Sequence, residues 1–216
     1  MSVSMMVSQL AGGMFVSIQI FVVTLIFSLP LGMVVAFGRM SKNPFIQRLV
    51  KVYISVMRGT PLMLQLMVVY FGPYYLFGIK ITNRYRLWAA LIGFVINYAA
   101  YFAEIYRSGI QSMPVGQYEA AKLLGYGKGQ TFFKIILPQV IKRILPSVTN
   151  EVITLVKDTS LAFTISVLEM FAIAKALASS QTSLIPFAAA GVFYYVFNLV
   201  VAVGMDYVEK KLNYYQ

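Results

Sequence analysis

The sequence predicts an all-α membrane protein with about five transmembrane helices. Of its 216 residues, 59% are hydrophobic and only 12% are charged, whereas a soluble domain carries about 25% charged residues. Apolar stretches of eighteen or more residues recur along the chain, and each is long enough to cross a bilayer as a helix. We therefore expect a single membrane domain over residues 1–216.

Five apolar runs, separated by charged segments, define the expected spans. The first run carries no charge up to residue 38, and we expect it to be a retained span rather than a removed signal peptide. Pro30 lies inside this run and predicts a kink. The charged segment 39–51 is expected to be a short loop. The predicted spans cover residues 14–37, 59–79, 87–103 (extended to 106), 144–168 and 186–205.

The distribution of Lys and Arg predicts how the chain is oriented in the membrane. Five spans place the two termini on opposite sides. The segments on one side carry twelve Lys and Arg residues, and those on the other side carry four. By the positive-inside rule, the N-terminus is expected outside, and the C-terminus and the charged segment 107–143 in the cytoplasm.

Composition also excludes several classes of site. The chain has no cysteine and no histidine, so we expect no disulfide, thiol chemistry, imidazole catalysis or metal site. The net charge is +11, but the basic residues are distributed between the spans instead of forming one patch. This distribution indicates orientation in a membrane rather than nucleic-acid binding. The glycine-rich segment 125–131 lacks the Gly-Lys-Ser/Thr sequence of a phosphate-binding loop. The chain is therefore not expected to bind ATP through a phosphate-binding loop.

The longest charged segment contains the pattern E-A-A-x3-G-x9-I-x-L-P, which begins at Glu119. Residues 117–124 predict a helix of about two turns, with Glu119 in its first turn, where the helix dipole favours negative charge. Gly125 follows, where a left-handed residue commonly ends a helix. Ala120 and Ala121 are small enough for another surface to approach the backbone. The structural alternative is a solvated helical hairpin between two spans.

Polar residues recur at helical spacing in the third and fourth predicted spans. Each set lies on one helical face, and at about 1.5 Å per residue the two sets overlap in depth near the bilayer centre. Ionisable side chains at this depth cost at least ~2.5–3.5 kcal/mol on insertion scales, so they tend to face a partner or a pathway. The sets are Asn97, Tyr101 and Glu104 in the third span, and Glu151, Thr154 and Asp158 in the fourth.

Another candidate site lies where the second span begins, at Arg58-Gly59-Thr60-Pro61. Thr60 suits a helix N-cap and Pro61 the first helical position. The broken helices of transporters hold substrate carboxylates at such N-termini, and Arg58 would add a bidentate contact. With the carboxylates of the two polar stripes, this arrangement favours a zwitterionic or cationic substrate.

Structural alternatives stay open for several of these residues. Glu104 lies three residues before Arg107 and is equally consistent with the cytoplasmic membrane boundary. Arg58 is equally consistent with snorkelling or with an ion pair to Glu104. Asp158 follows Lys157 and is consistent with a structural ion pair. Two more ionisable residues are expected near the outer surface of the membrane, without a direct role in substrate binding, namely Glu169 and Lys175.

These motifs resemble those of the membrane-spanning subunits of bacterial ABC importers. The E-A-A pattern is similar to the cytoplasmic coupling loop of that family, here about 112–138. The stretches 58–61 and 157–161 are similar to signatures of the polar amino-acid branch, which carries histidine, glutamine, arginine and related substrates. The resemblance covers nearly the whole chain. It implies the type I importer fold in the bacterial inner membrane.

The resemblance also implies partners and roles. The implied partners are a second permease subunit, two ATP-binding subunits and an extracytoplasmic binding protein, with membrane lipid around them. The second permease subunit would be an identical copy, forming a homodimer, or a close paralogue. ATP and Mg would be bound by the ATP-binding partner, so the chain itself is not expected to be an enzyme. The residues expected to dock the ATPase are Glu119, Ala120, Ala121 and Gly125, and Arg58, Thr60, Glu151 and Asp158 are candidates for the pathway.

The function expected from the sequence is ATP-driven import of polar amino acids. The carboxylates of the polar stripes favour basic substrates. The main alternative is an ion-coupled secondary amino-acid transporter or channel, which leaves the Glu119 loop unexplained. A structural membrane protein gives no reason for Glu151 and Asp158 within a span. A membrane-embedded enzyme is disfavoured, since the sequence shows no recognisable nucleophile–base pair.

Overall fold

The computed structural model describes residues 2–212, and these fold into helices joined by short connections. The long helix α1 leads into two shorter helices, which are followed by a second long helix and a group of small helical segments. The elements are α1 (Val3–Arg39), α2 (Pro44–Gly59), α3 (Leu62–Phe77), α4 (Tyr85–Gln111), α5 (Val115–Leu123), α6 (Lys128–Gln130), a π-helical segment (Thr131–Ile136), α7 (Leu137–Asp158), a 3-10 segment (Thr159–Ile165), α8 (Met170–Gln181) and α9 (Ile185–Leu212).

The number of spans agrees with the sequence prediction. Within residues 2–212, α1, α4 and α9 are each long and apolar enough to cross a membrane. Two helix pairs meet the same criterion together but are bent. The pair α2–α3 bends by 112°, and the unit Lys128–Ile165 bends by 60° against α8. Counting each bent pair as one span gives five.

Helix α1 extends further than predicted and packs closely against α4. It begins at Val3 and continues as one helix through Pro30. At Gly32 the two helices approach so closely that a Cβ atom would lie 2.8 Å from the Cβ atom of Phe102. Glycine at this position therefore permits the main helix–helix contact of the fold.

The predicted loop over 39–51 is wrong, because residues from Pro44 onward form α2. Asn43 caps this helix by accepting a hydrogen bond from the backbone N–H of Phe45 at 2.9 Å, and Pro44 is at its first position. Proline is favoured there because its fixed φ suits a helix and it has no N–H to satisfy. Several apolar residues at helical spacing then turn inward, namely Val50, Tyr53, Ile54 and Met57.

The fourth predicted span is likewise not one straight helix. The helical unit begins at Lys128, before the predicted start, and α7 ends at Asp158. A 3-10 segment follows, and Ser166 then adopts a left-handed conformation with φ of 60° before α8 begins. The last helix, α9, runs from Ile185 to Leu212 and is longer than the predicted 186–205.

Candidate functional site

The E-A-A pattern forms helix α5, as predicted. The helix ends at Leu123, and Gly125 takes the predicted left-handed conformation, with φ of +79°. The helix begins at Val115, two residues earlier than expected, because Pro114 is its N-cap. The placement of Glu119 in the first turn is therefore wrong, since it lies in the second turn.

The two alanines of the pattern face opposite ways. Ala121 is only 1% exposed, so it packs inside the chain. Glu119 and Ala120 are exposed. The backbone N–H of Tyr126 donates to the carbonyl of Ala121 at 3.0 Å, which closes the helix end around Gly125. The exposed side of α5 is thus available to another protein, whereas its buried side fixes the helix to this chain.

Helix α5 is bound to the base of α7 by side-chain amides. Gln117 and Gln139 each donate to the other's oxygen at 2.8 Å. Nη1 of Arg143 donates to the carbonyl of Ser112 at 3.2 Å, just before α5. The Gln117–Gln139 pair was not predicted, because nothing in the local sequence indicates a pairing across 22 residues.

The break between α2 and α3 differs from the predicted helix start. Thr60 is the C-cap of α2, and its Oγ1 donates to the carbonyl of Val56 at 2.8 Å. Pro61 is the N-cap of α3, which begins at Leu62 and has no side-chain cap hydrogen bond. The assignment of Thr60 as N-cap and Pro61 as first helical residue is therefore wrong. The reason is that Thr60 turns its hydroxyl back onto the preceding helix.

Two side-chain amides stabilise this break. Nε2 of Gln65 donates to the carbonyls of Met57 at 2.9 Å and Thr60 at 3.1 Å, and contacts Oγ1 of Thr60 at 2.8 Å. Nδ2 of Asn97 donates to the Met57 carbonyl at 3.1 Å and to Oε1 of Gln65 at 2.8 Å. Gln65 and the buried Asn97 thus satisfy the backbone carbonyls of Met57 and Thr60, which are left free at the end of α2. Gln65 was not among the predicted site residues.

Charged and aromatic side chains converge beside the break. The guanidinium of Arg58 lies 5.3 Å from the ring centroid of Tyr101 on α4. The hydroxyl of Tyr98 donates to Oδ2 of Asp158 on α7 at 2.7 Å. Glu151 lies near enough to both residues for the charge of Arg58 to attract its carboxylate and that of Asp158 to repel it. The break, α4 and α7 therefore bring basic, acidic and aromatic groups together.

The remaining predicted residues have different surroundings. Glu104 forms an ion pair with Arg107, whose Nη2 lies 2.6 Å from its Oε2, and Nε of Arg39 lies 3.9 Å from its Oε1. The carboxylate is thus already paired near the end of α4 that leads to α5. Thr154 is exposed on α7, four residues before Asp158.

Glu169, which was expected near the outer surface of the membrane, has a fully buried side chain. Its carboxylate caps α8, accepting from the backbone N–H groups of Phe171 at 2.7 Å and Ala172 at 2.8 Å. The hydroxyl of Tyr194 donates to it at 3.0 Å, and that of Ser17 lies 3.5 Å away. The sequence signal that could have predicted this cap is the position of Glu169 directly before the apolar residues that begin α8.

The helical membrane fold and the exposed short helix between two spans define a membrane component of a transport system. The chain belongs to the family described as "Binding-protein-dependent transport system inner membrane component", whose profile matches residues 28–214. This is an inner-membrane permease family, and the match covers most of the chain. The expected membership of this class is confirmed.

Individual relatives specify the class of cargo. The chain is 40% identical to the arginine transport system permease protein ArtQ of Bacillus subtilis over 93% of this chain and 91% of that protein. It is 34% identical to the putative glutamine transport system permease protein GlnP of Rickettsia bellii, again over 93% of this chain and 91% of that protein. Both are amino-acid permeases.

A solved structure supports the same conclusion. The chain superposes with a TM-score of 0.85 and 29% identity on a chain from the crystal structure of an amino acid ABC transporter with histidines, covering 94% of each chain. The chain is therefore the membrane subunit of an ABC importer for amino acids, and it has the type I importer fold. An ion-coupled secondary transporter is not favoured.

Proposed function

We propose that this chain lines a translocation path for basic amino acids and is driven by an ATP-binding subunit docked on α5. The observation that carries the proposal is the cluster of Arg58, Tyr101, Glu151 and Asp158 beside the α2–α3 break. Arg58 would hold the substrate carboxylate. Glu151 and Asp158 would face its amino group and cationic side chain. The exposed Thr154 lies between these two carboxylates on α7 and would also face the path.

The position of Arg58 supports a second permease subunit. Arg58 lies fourteen residues along α2 from Pro44, which is about 21 Å, and its side chain is exposed in the single chain. A guanidinium inside a membrane-spanning unit is costly to leave against lipid. A second copy of this chain, or a close paralogue, would cover this face and enclose an aqueous path. Thr60 and Asn97 would then shape the break, and Glu104 would stabilise the end of α4.

The exposed side of α5 is the proposed docking surface for the ATPase. Glu119 and Ala120 would contact it, while the buried Ala121 and the left-handed Gly125 hold the helix in shape. ATP and Mg would be bound by that partner, one copy beneath each permease, so hydrolysis is assigned to the partner. The charge distribution supports a cytoplasmic α5 and C-terminus with the N-terminus outside.

Reconstitution in liposomes tests this function. The chain would be co-expressed with its ATP-binding subunit and supplied with the extracytoplasmic binding protein. We expect ATP hydrolysis and uptake to be stimulated by arginine, lysine or histidine. Stimulation by glutamine alone would contradict the basic specificity but keep the importer class. Failure of any ATP-binding subunit to co-purify would contradict the assigned role of α5.

The carboxylates can be tested separately in the same system. Asp158→Asn and Glu151→Gln keep side-chain size but remove the negative charge. We expect each to weaken uptake of a cationic substrate while the ATP-binding subunit still co-purifies. Unchanged uptake by both variants would remove these residues from the pathway.

A further inference from the structure

The reciprocal amide pair of Gln117 and Gln139 lies between the proposed docking helix and the helix that carries the candidate substrate carboxylates. Both hydrogen bonds are 2.8 Å, and both side chains are partly buried. Nε2 of Gln139 also donates to the carbonyl of Ile135 at 2.8 Å. This third bond holds the Gln139 side chain against the end of the π-helical segment that leads into α7, so that its amide is presented to α5.

Helix α7 continues as one helix from this contact towards the candidate substrate site, through Pro146, which removes one backbone hydrogen bond. Gln139 is in its first turn, and Glu151 and Asp158 follow about 18 Å and 28 Å further along the helix. A displacement applied at Gln139 would therefore move both carboxylates. The Asp158 end is in turn tied to α4 through Tyr98.

The covalent connection between α5 and α7 is less suited to transmitting a displacement. It contains three glycines, at positions 125, 127 and 129, and Gly125 takes a left-handed conformation. A π-helical segment, Thr131–Ile136, follows. Glycines give a backbone its greatest conformational freedom, and π-helical segments interrupt regular α-helical hydrogen bonding. The amide pair bypasses this deformable segment.

We propose that Gln117 and Gln139 are positioning residues that make α5 and α7 move as one body, so that movement of the ATP-binding subunit reaches Glu151 and Asp158. This inference rests on the proposed function. The bond from Arg143 to the Ser112 carbonyl holds the start of α5 in the same unit.

Substitution of the pair in the full transporter complex tests the proposal. Gln117→Leu, Gln139→Leu and the double variant Q117L/Q139L are expected to co-purify with the ATP-binding subunit and keep basal ATP hydrolysis. Substrate stimulation of hydrolysis and uptake per ATP should fall at least about fivefold, the lower range of allosteric coupling. Gln47→Leu, at an exposed amide of α2, is the matched control and should keep coupling.

Rescue distinguishes a positioning role from general destabilisation. The charged pair Q117E/Q139K restores an attractive contact between the same positions, and we expect it to recover most of the coupling that Q117E or Q139K alone loses. Full coupling in the leucine variants, or no recovery in the charged pair, would overturn the proposal. If the wild-type chain failed to retain an ATP-binding subunit, the proposed function itself would fail, which is a distinct result.

The absence of cysteine from the chain allows a second test. Q117C/Q139C gives this chain two thiols and no others, and a bifunctional thiol reagent can bridge them. We expect the unbridged variant to lose coupling and the bridged variant to regain it, because the two helices are then joined again. Loss of transport on bridging would show that α5 and α7 separate during the cycle, and would overturn the proposal.

Discussion

Tyr98 and Asp158 are joined by a 2.7 Å hydrogen bond between α4 and α7, and the Tyr98 side chain is only 2% exposed. The bond spans 60 residues of sequence and connects the two helices that carry the polar stripes. It orients the Asp158 carboxylate in the cluster that contains Arg58 and Glu151. A buried tyrosine thus determines where a candidate substrate-binding carboxylate points.

Removing this hydroxyl tests that relationship. Tyr98→Phe keeps the packed ring but leaves Asp158 without its donor, so we expect about tenfold weaker apparent affinity for a cationic substrate. A hydrogen bond to a charged group contributes about 1.5–3 kcal/mol, and 1.4 kcal/mol corresponds to a factor of ten. The measurement is the KM of uptake in liposomes. Tyr106→Phe, at another buried tyrosine of α4, is the control, and an unchanged or lower KM for Tyr98→Phe would contradict the prediction.

Local patterns predicted the features that depend on neighbouring residues. The apolar runs gave the number of spans, and the E-A-A pattern gave α5 and its left-handed Gly125. The helical spacing of polar residues predicted that the stripes of the third and fourth spans overlap in depth, and the Tyr98–Asp158 bond joins the two helices that carry them. These features follow from hydrophobicity, helical periodicity and the conformational freedom of glycine, all of which act over short sequence distances.

Features that depend on distant partners were not predicted. Thr60 was expected to cap α3, but Gln65 and Asn97 stabilise the opposite arrangement through bonds to the end of α2. The buried site of Glu169 was not predicted, and one of its contacts, Ser17, lies 152 residues away. Such contacts have no local signature, because the residue type alone does not reveal its partner.

Gly125 offers a test of the end of α5. Gly125→Ala places a Cβ on a residue with φ of +79°, which costs about 1–2 kcal/mol for an L-residue. We expect the end of the helix to rearrange and the ATP-binding subunit to bind more weakly, as measured by its retention on the purified permease. Gly129→Ala, in the same segment, has open space at the Cβ position and should leave retention unchanged. Equal retention in both variants would show that the left-handed turn is not needed for docking.

The two alanines of the E-A-A pattern should respond differently to the same substitution. Ala120 is exposed, so Ala120→Leu should leave thermal stability unchanged but reduce retention of the ATP-binding subunit by blocking close approach. Ala121 is 1% exposed, so Ala121→Leu should destabilise the chain itself by about 1–3 kcal/mol through overpacking. Thermal unfolding in detergent, measured without the partner, separates the two effects. The assignment of docking and packing sides fails if Ala120→Leu alone lowers stability.

Substitution of Glu169 is expected to lower the stability of the chain the most. Glu169→Ala removes the cap of α8 and deprives the hydroxyl of Tyr194 of its acceptor in a buried site. We expect the free energy of unfolding to fall by about 2 kcal/mol or more, because losing an N-cap costs about 0.5–2 kcal/mol and a bond to a charged group adds about 1.5–3 kcal/mol. Glu169→Gln retains one oxygen acceptor and should lose less.

Thermal unfolding of both variants in detergent measures this effect, with Glu209→Ala as the control at a carboxylate near the end of α9. If Glu169→Gln were as unstable as Glu169→Ala, the negative charge rather than the capping oxygen would be the stabilising feature. If both matched the control, the buried carboxylate would not contribute to stability. The ordering expected from the geometry is wild type, then Glu169→Gln, then Glu169→Ala, because each step removes acceptors from the same backbone N–H groups.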